Sequence, residues 1–200
     1  QATKLTPDDG AANDEFGRAV KLDGNYSYVG ARLVDDGGSQ DEGAVYVFHR
    51  LPTGEWVQEA KLTADDGMAD DYFGHSLDAR DHRLLVGAPG KVDDRNKSNP
   101  GYAYLFERDE NGTWSQQVKF AAYDGLPDAE MGFDVALGES VVVGAPLRDD
   151  RGVFSGGVYM YENSSWNDLP PVLSVAGELA VVMDEDGDPV VWTSPGLTAS

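Results

Sequence analysis

An all-β fold built from one repeated unit is what this sequence predicts, and three observations carry that reading. First, landmarks recur at a nearly fixed interval: Phe16-Gly17, Phe73-Gly74 and Met131-Gly132 lie 57 and 58 residues apart. Second, each is followed by a Val-Gly-Ala run, at Val29-Gly30-Ala31, Val86-Gly87-Ala88 and Val143-Gly144-Ala145, and then by a third landmark starting at Gly43, Gly101 and Gly156. Third, the apolar residues fall in short alternating runs separated by Gly, Asp, Asn and Pro, which is strand spacing and not helix spacing. A unit this small cannot bury its apolar face alone, so the copies must pack side by side.

The first copy predicts strands at Phe16–Leu22, Tyr26–Ala31, Val45–Phe48 and Trp56–Leu62. The second predicts Phe73–Leu77, Leu84–Ala88, Tyr102–Phe106 and Trp114–Lys119, and the third Met131–Leu137, Val141–Ala145, Val158–Tyr161 and a degraded strand near Trp166–Val172. Four antiparallel strands per copy, joined by turns such as Asp23-Gly24-Asn25, match the blade of a β-propeller. The predicted organisation is a single propeller or propeller segment with three full repeats plus a partial fourth. Residues 7–62, 63–119 and 120–170 form the blades, and 171–200 a degenerate partial blade with strands at Leu173–Ala176, Leu179–Met183 and Val190–Thr193. Residues 1–6 read as an outer strand, because Lys4-Leu5-Thr6 matches Lys61-Leu62-Thr63. That strand closes a compact ring, completes a blade in a neighbouring chain, or belongs to a longer propeller.

Composition bounds the function. Two hundred residues with 20 aromatics among them support a proper core. The formal charge of −21 comes from 36 acids against 15 bases, a field that repels phosphates and argues against nucleic acid. No cysteine is present, so disulfides and thiolate metal sites are excluded. The apolar runs are only strand length, too short for a membrane-spanning helix. Four glycosylation triplets, beginning at Asn25, Asn96, Asn111 and Asn163, fit an extracellular or cell-surface glycoprotein.

Phe16-Gly17 and Phe73-Gly74, with Gly87-Ala88-Pro89 and Gly144-Ala145-Pro146, resemble the FG-GAP repeat family of integrin alpha-like propellers. The likeness extends to Trp56, Lys61-Leu62-Thr63-Ala64-Asp65-Asp66-Gly67 and Val86-Gly87-Ala88-Pro89, and covers roughly residues 1–166. It implies radial blades and a role in adhesion or recognition. The family's calcium loop sits between strands one and two, where this chain has only Asp23-Gly24-Asn25, Asp78 to Asp81 and Gly138-Glu139, too poor in oxygen ligands for calcium.

Antiparallel geometry puts the loop entering strand one and the loop leaving strand two at one end of each blade. Both are acidic in every copy. The entering loops carry Asp8, Asp9 and Asp14, then Asp65, Asp66, Asp70 and Asp71, then Asp124, Asp128 and Glu130. The leaving loops carry Asp35-Asp36, Asp93-Asp94 and Asp149-Asp150. Asn25, Asn111 and Asn163 fall at the opposite end, and Asn96 in a leaving loop. A protein or glycan ligand on the acidic face is therefore expected, against the plainer reading that Asp caps turns. A calcium ion is expected, if anywhere, at Asp184, Asp186 and Asp188, where carboxylates alternate around Gly187. Trp56, Trp114 and Trp166 recur at the start of strand four and suggest blade packing more than sugar stacking. His49, His75 and His82, assigned to a strand end, a strand and a turn, share no motif, so no enzymatic activity is expected. The reading is an extracellular, non-enzymatic adhesion, recognition or scaffold module. The alternatives are a filament or oligomer subunit self-associating by exchange of terminal strands, and an accessory domain of a carbohydrate-active protein.

Overall fold

A computed structural model of the chain describes residues 3–35, 38, 40–90, 100–122, 129–148 and 155–162, together with two further strands of backbone at 180–183 and 189–192. Sheet 1 contains β1 (Val20–Asp23), β2 (Tyr26–Ala31), β3 (Ala44–Arg50) and β4 (Trp56–Leu62). Sheet 2 contains β5 (Ser76–Arg80), β6 (Arg83–Ala88), β7 (Tyr102–Arg108) and β8 (Trp114–Phe120). Sheet 3 contains β9 (Val135–Leu137), β10 (Val141–Ala145) and β11 (Gly157–Tyr161), and a hairpin joins β12 (Ala180–Met183) to β13 (Pro189–Trp192). Every sheet is an antiparallel meander in chain order. The expected fourth strand of the third copy, the strand at Leu173–Ala176 and the Asp184 to Asp188 turn lie outside the described residues.

Alternation along the strands decides which sheet meets which. Val45 and Val47 point one way into a core shared with Phe73, Leu84, Val86, Tyr104 and Phe106 of sheet 2. Ala44, Tyr46 and Phe48 point the other way and pack with Phe16 and Leu5. Sheet 2 repeats the division, with Leu85, Ala103 and Leu105 turned towards Met131, Val135, Val141 and Tyr159 of sheet 3. The inner strands β1, β5 and β9 neighbour one another in succession. The sheets thus stack face to face like successive blades, each burying what its neighbour cannot bury alone.

Glycine locks the sheets together. Any Cβ on Gly30 of β2 would overlap the carbonyl oxygen of Gly74, and any on Gly87 of β6 would overlap that of Gly132. The strand-two glycine of one copy thus receives the backbone of the Phe-Gly or Met-Gly turn of the next. Parallel bridges from Gly43 to Phe73 and from Gly101 to Met131 complete each lock.

Two expectations are corrected. Strand one does not begin at Phe16, Phe73 or Met131: the chain turns there, with Gly17, Gly74 and Gly132 at φ of 96°, 87° and 93°. Phe73 and Met131 plug the core shared with the preceding sheet, and Phe16 packs on Tyr46 and Phe48, so their apolar character reports burial, not strand. For the same reason His75 precedes β5 instead of lying in it. Asp78 belongs to β5, and the hairpin turn is Asp81-His82, both at positive φ (51° and 65°), the geometry of a tight hairpin. Residues 3–6 pair with no strand among the described residues, and Leu5 packs on the sheet 1 core.

Candidate functional site

The loops sort to opposite ends as antiparallel order requires. At one end the entering and leaving loops are tied together: Leu33 N donates to Asp14 O at 3.3 Å, and Gly90 N to Asp71 O at 3.0 Å. At the other end Arg50 N donates to Asn25 O (2.8 Å) and Arg108 N to His82 O (2.9 Å), joining the strand one–two turn to the strand three–four turn. Asn25 and Asn111 are exposed there. Asn96 and Asn163 lie outside the described residues, as do Asp36, Asp93, Asp94, Asp124, Asp128, Asp149 and Asp150.

The acidic end of sheet 1 holds a cleft of about 300 Å³ lined by Asp9, Asp14, Asp35, Asp41, Gln40 and Lys61. Much of its carboxylate is committed to the fold. Asp14 Oδ2 accepts from Ala11 N at 2.6 Å, and Asp71 Oδ2 from Met68 N at 2.8 Å, the same loop cap in successive copies. Both are buried, at 8% and 3% exposure. Asp35 Oδ1 accepts from Asp41 N at 2.9 Å. Lys61 Nζ meets Asp9 at 2.8 Å and Lys119 Nζ meets Asp66 at 2.6 Å, so the outer strands of sheets 1 and 2 each clamp their own entering loop. The Lys61 hydrogen bond holds the Asp9 carboxyl below its usual range. Asp8 and Asp65 are exposed and give only their backbone N–H, to Gln58 and Gln116, in the bonds formed here. The turn-capping reading therefore holds for Asp14, Asp35 and Asp71, while Asp8 and Asp65 present their side chains to solvent. Among the described residues no group of three or more acidic or histidine side chains is arranged to hold a metal ion. Asp184, Asp186 and Asp188 are outside them.

Two clusters escaped the sequence. Glu59 sits on a β-bulge, where the β3–β4 register shifts between Val47 and Phe48. The bulge aims it across to sheet 2. There it accepts from Arg108 Nε at 2.8 Å and Nη2 at 3.2 Å, and from Trp114 Nε1 at 3.3 Å, with His49 Nδ1 at 3.7 Å. Trp114 also meets Tyr28 edge-on at 5.8 Å, so this tryptophan packs blades together. The regular recurrence of Trp in the sequence was the signal; nothing nearby in sequence marked Glu59 as its partner.

The second cluster surrounds His75, at the junction of all three sheets. Arg18 Nη2 lies 3.2 Å from Nε2, Arg32 Nη1 lies 3.4 Å from Nδ1, and Phe133 of sheet 3 packs on the ring at 4.8 Å. Burial, then the two guanidiniums, push the imidazole down to about 4. Arg32 is held in turn by Glu15 at 2.7 Å and stacks over Tyr72. The Arg32 hydrogen bond keeps Glu15 below the usual carboxylate range. Such a histidine stays neutral at physiological pH.

A search among curated proteins found no match for the chain. The FG-GAP repeat family matches residues 1–48, 56–106 and 114–161. The second and third segments begin at the outer strands β4 and β8 and end within or at β7 and β11, so the sequence repeat is offset by one strand from the sheets. Repeat and fold agree over well over half the length, with the family's Phe-Gly turns and Gly-Ala strands forming the contact between sheets: the chain belongs to the FG-GAP repeat family.

Proposed function

We propose that this chain is an extracellular, non-enzymatic recognition module that presents repeated acidic loops to a protein or glycan ligand. The observation that carries the reading is the segregation of the two ends. Exposed Asp8 and Asp65 recur at one end of successive sheets, and the exposed sequon residues Asn25 and Asn111 occupy the other. A rigid array that repeats one weak contact gains avidity without new chemistry. Basic or hydroxyl-rich surfaces suit the acidic end, since carboxylates attract the first and accept hydrogen bonds from the second. Calcium, proposed at Asp184, Asp186 and Asp188 on their sequence pattern, is read by calorimetry against a chelator control.

Surface plasmon resonance against arrayed glycans and basic extracellular-matrix proteins tests the proposal. Saturable binding is expected, weakened about tenfold by Asp8→Asn with Asp65→Asn and unchanged by Asn111→Gln. Absence of binding, or turnover of an arrayed glycan, overturns it.

A further inference from the structure

We infer that Arg18, Arg32 and His75 form a binding site for the oxyanion of an acidic sugar, a carboxylate or a sulfate, with Phe133 receiving the sugar ring. The inference stands on this cluster and not on the acidic loops, so either can fail without the other.

The repeat itself marks the site. Arg18, His75 and Phe133 each follow the glycine of a Phe-Gly or Met-Gly turn, so one position of the unit carries a cation, an imidazole and an aromatic in successive copies. Because the sheets stack, the three stand in a row: Arg18 Nη2 lies 3.2 Å from His75 Nε2, and the His75 and Phe133 rings are 4.8 Å apart. Arg32 also departs from its repeat, standing where the other copies have Pro89 and Pro146. Its Nη1 reaches His75 Nδ1 at 3.4 Å. The glycine lock fixes the backbone and asks nothing of these side chains, so stacking alone does not explain their convergence.

Hydrogen-bond chemistry says what is missing. A neutral imidazole carries one N–H and one acceptor nitrogen, whereas a guanidinium only donates. His75 is neutral at physiological pH, so in either tautomer one ring N–H faces an arginine. Among the described residues the ring nitrogens meet no acceptor. His75 is only 8% exposed, and a buried donor without an acceptor is destabilising. An anionic oxygen seated beside the ring accepts from that N–H and from a guanidinium together, and the planar fork of arginine matches a carboxylate or sulfate.

Charge and exposure agree. Arg32 pairs with Glu15 at 2.7 Å, but among the described residues no carboxylate lies within ion-pair distance of Arg18, in a chain of formal charge −21. The other acid near the ring, Asp134, accepts from Val135 N at 3.0 Å. Arg18 is exposed and the Arg32 side chain is 25% exposed, so a ligand in solution reaches both. Phe133, 43% exposed beside them, offers an aromatic face to the C–H groups of a sugar ring. That face favours an acidic sugar over the acidic side chain of a protein.

NMR titration of the isotope-labelled chain at neutral pH, through the millimolar range, tests this with methyl glucuronide, a sulfated glucose, acetate and uncharged methyl glucoside. Saturable shifts of the Arg18 Nε–H and the His75 ring are expected with one or both acidic sugars, and the sugar that binds names the source of the oxyanion. Acetate should bind about tenfold more weakly, and methyl glucoside should leave these signals unmoved. No saturable shift with either acidic sugar, or acetate binding as tightly as they do, overturns the inference. Arg18→Gln should lower the affinity at least tenfold while the thermal melt stays unchanged. Arg80→Gln, which removes the same charge at the opposite end, should bind as the native chain does. Phe133→Ala should reduce the acidic sugar to the affinity of acetate. Native affinity in Arg18→Gln or Phe133→Ala, or an equal loss in Arg80→Gln, overturns it.

Discussion

The interface between sheets 1 and 2 and the interface between sheets 2 and 3 have the same backbone and different side chains. In both, a strand-two glycine receives a glycine carbonyl, and a parallel bridge joins the third-strand landmark to the next aromatic or methionine plug. Around that lock the first interface is stitched by charge: Lys21 to Asp78 at 2.5 Å, and Glu59 to Arg108. The second is held by hydrogen bonds to backbone groups and by an aromatic contact. Ser76 Oγ donates to Gly132 O at 2.8 Å, Asp78 Oδ2 accepts from Leu137 N at 2.7 Å, and Phe120 packs against Tyr161 at 4.8 Å. The plug itself changes from Phe73 to Met131 while both remain fully buried. The lesson is that blade stacking is specified by backbone approach at glycine, and the side chains around it need only fill space and satisfy polar groups.

The largest expected effect breaks the shared feature. Gly30→Ala and Gly87→Ala should each destabilise the chain by about 3 kcal/mol, because the added methyl meets backbone that cannot rotate away. Urea unfolding checks this, and similar losses at the two sites are expected despite their different surroundings.

A smaller effect probes the junction where the two interfaces meet. His75 is held near 4 in the folded chain and returns to about 6.5 when unfolded. Between those values the unfolded state binds the extra proton, so stability falls as pH drops from 6.5 to 4 and levels off below. The loss assignable to this group is on the order of 2 kcal/mol after allowance for solvent screening of the exposed Arg18 and half-buried Arg32 guanidiniums. Comparing thermal melts of the native chain and His75→Gln across this range isolates it, with the variant losing less.

The smallest effect sharpens the difference between the interfaces. Lys21→Met removes a partly exposed ion pair and should cost less than about 1 kcal/mol. Asp78→Asn should cost more, since that carboxylate also holds the Leu137 N–H of the second interface. Equal losses in urea titrations would place the whole value of Asp78 in the charge pair.

Much of the fold was legible because strand alternation and turn residues are local signals. The bounds of β2, β4 and β10 coincide with those expected from Tyr26–Ala31, Trp56–Leu62 and Val141–Ala145. The division of loops into two ends was also legible, since it follows from antiparallel order alone. What misled was Phe16, Phe73 and Met131: apolar character announces burial without naming the element, and here each residue lies in a turn before its strand, with Phe73 and Met131 filling the core shared with the preceding sheet and Phe16 packing on Tyr46 and Phe48 of its own sheet. Of the candidate site, the acidic loops were visible as composition. Which carboxylates cap turns, which are clamped by lysine and which remain exposed was not, because the deciding partners lie three residues away in some cases and more than fifty in others.

The sequence by itself determined the repeat, the two central strands of each copy and the places where glycine recurs, since periodicity and residue identity are properties of the chain. Only the tertiary structure decided what those glycines are for, which faces pack together, and where Glu59 and His75 find their partners. The reason is physical: burial and polar pairing are settled between sheets, across distances in sequence over which no local pattern carries information.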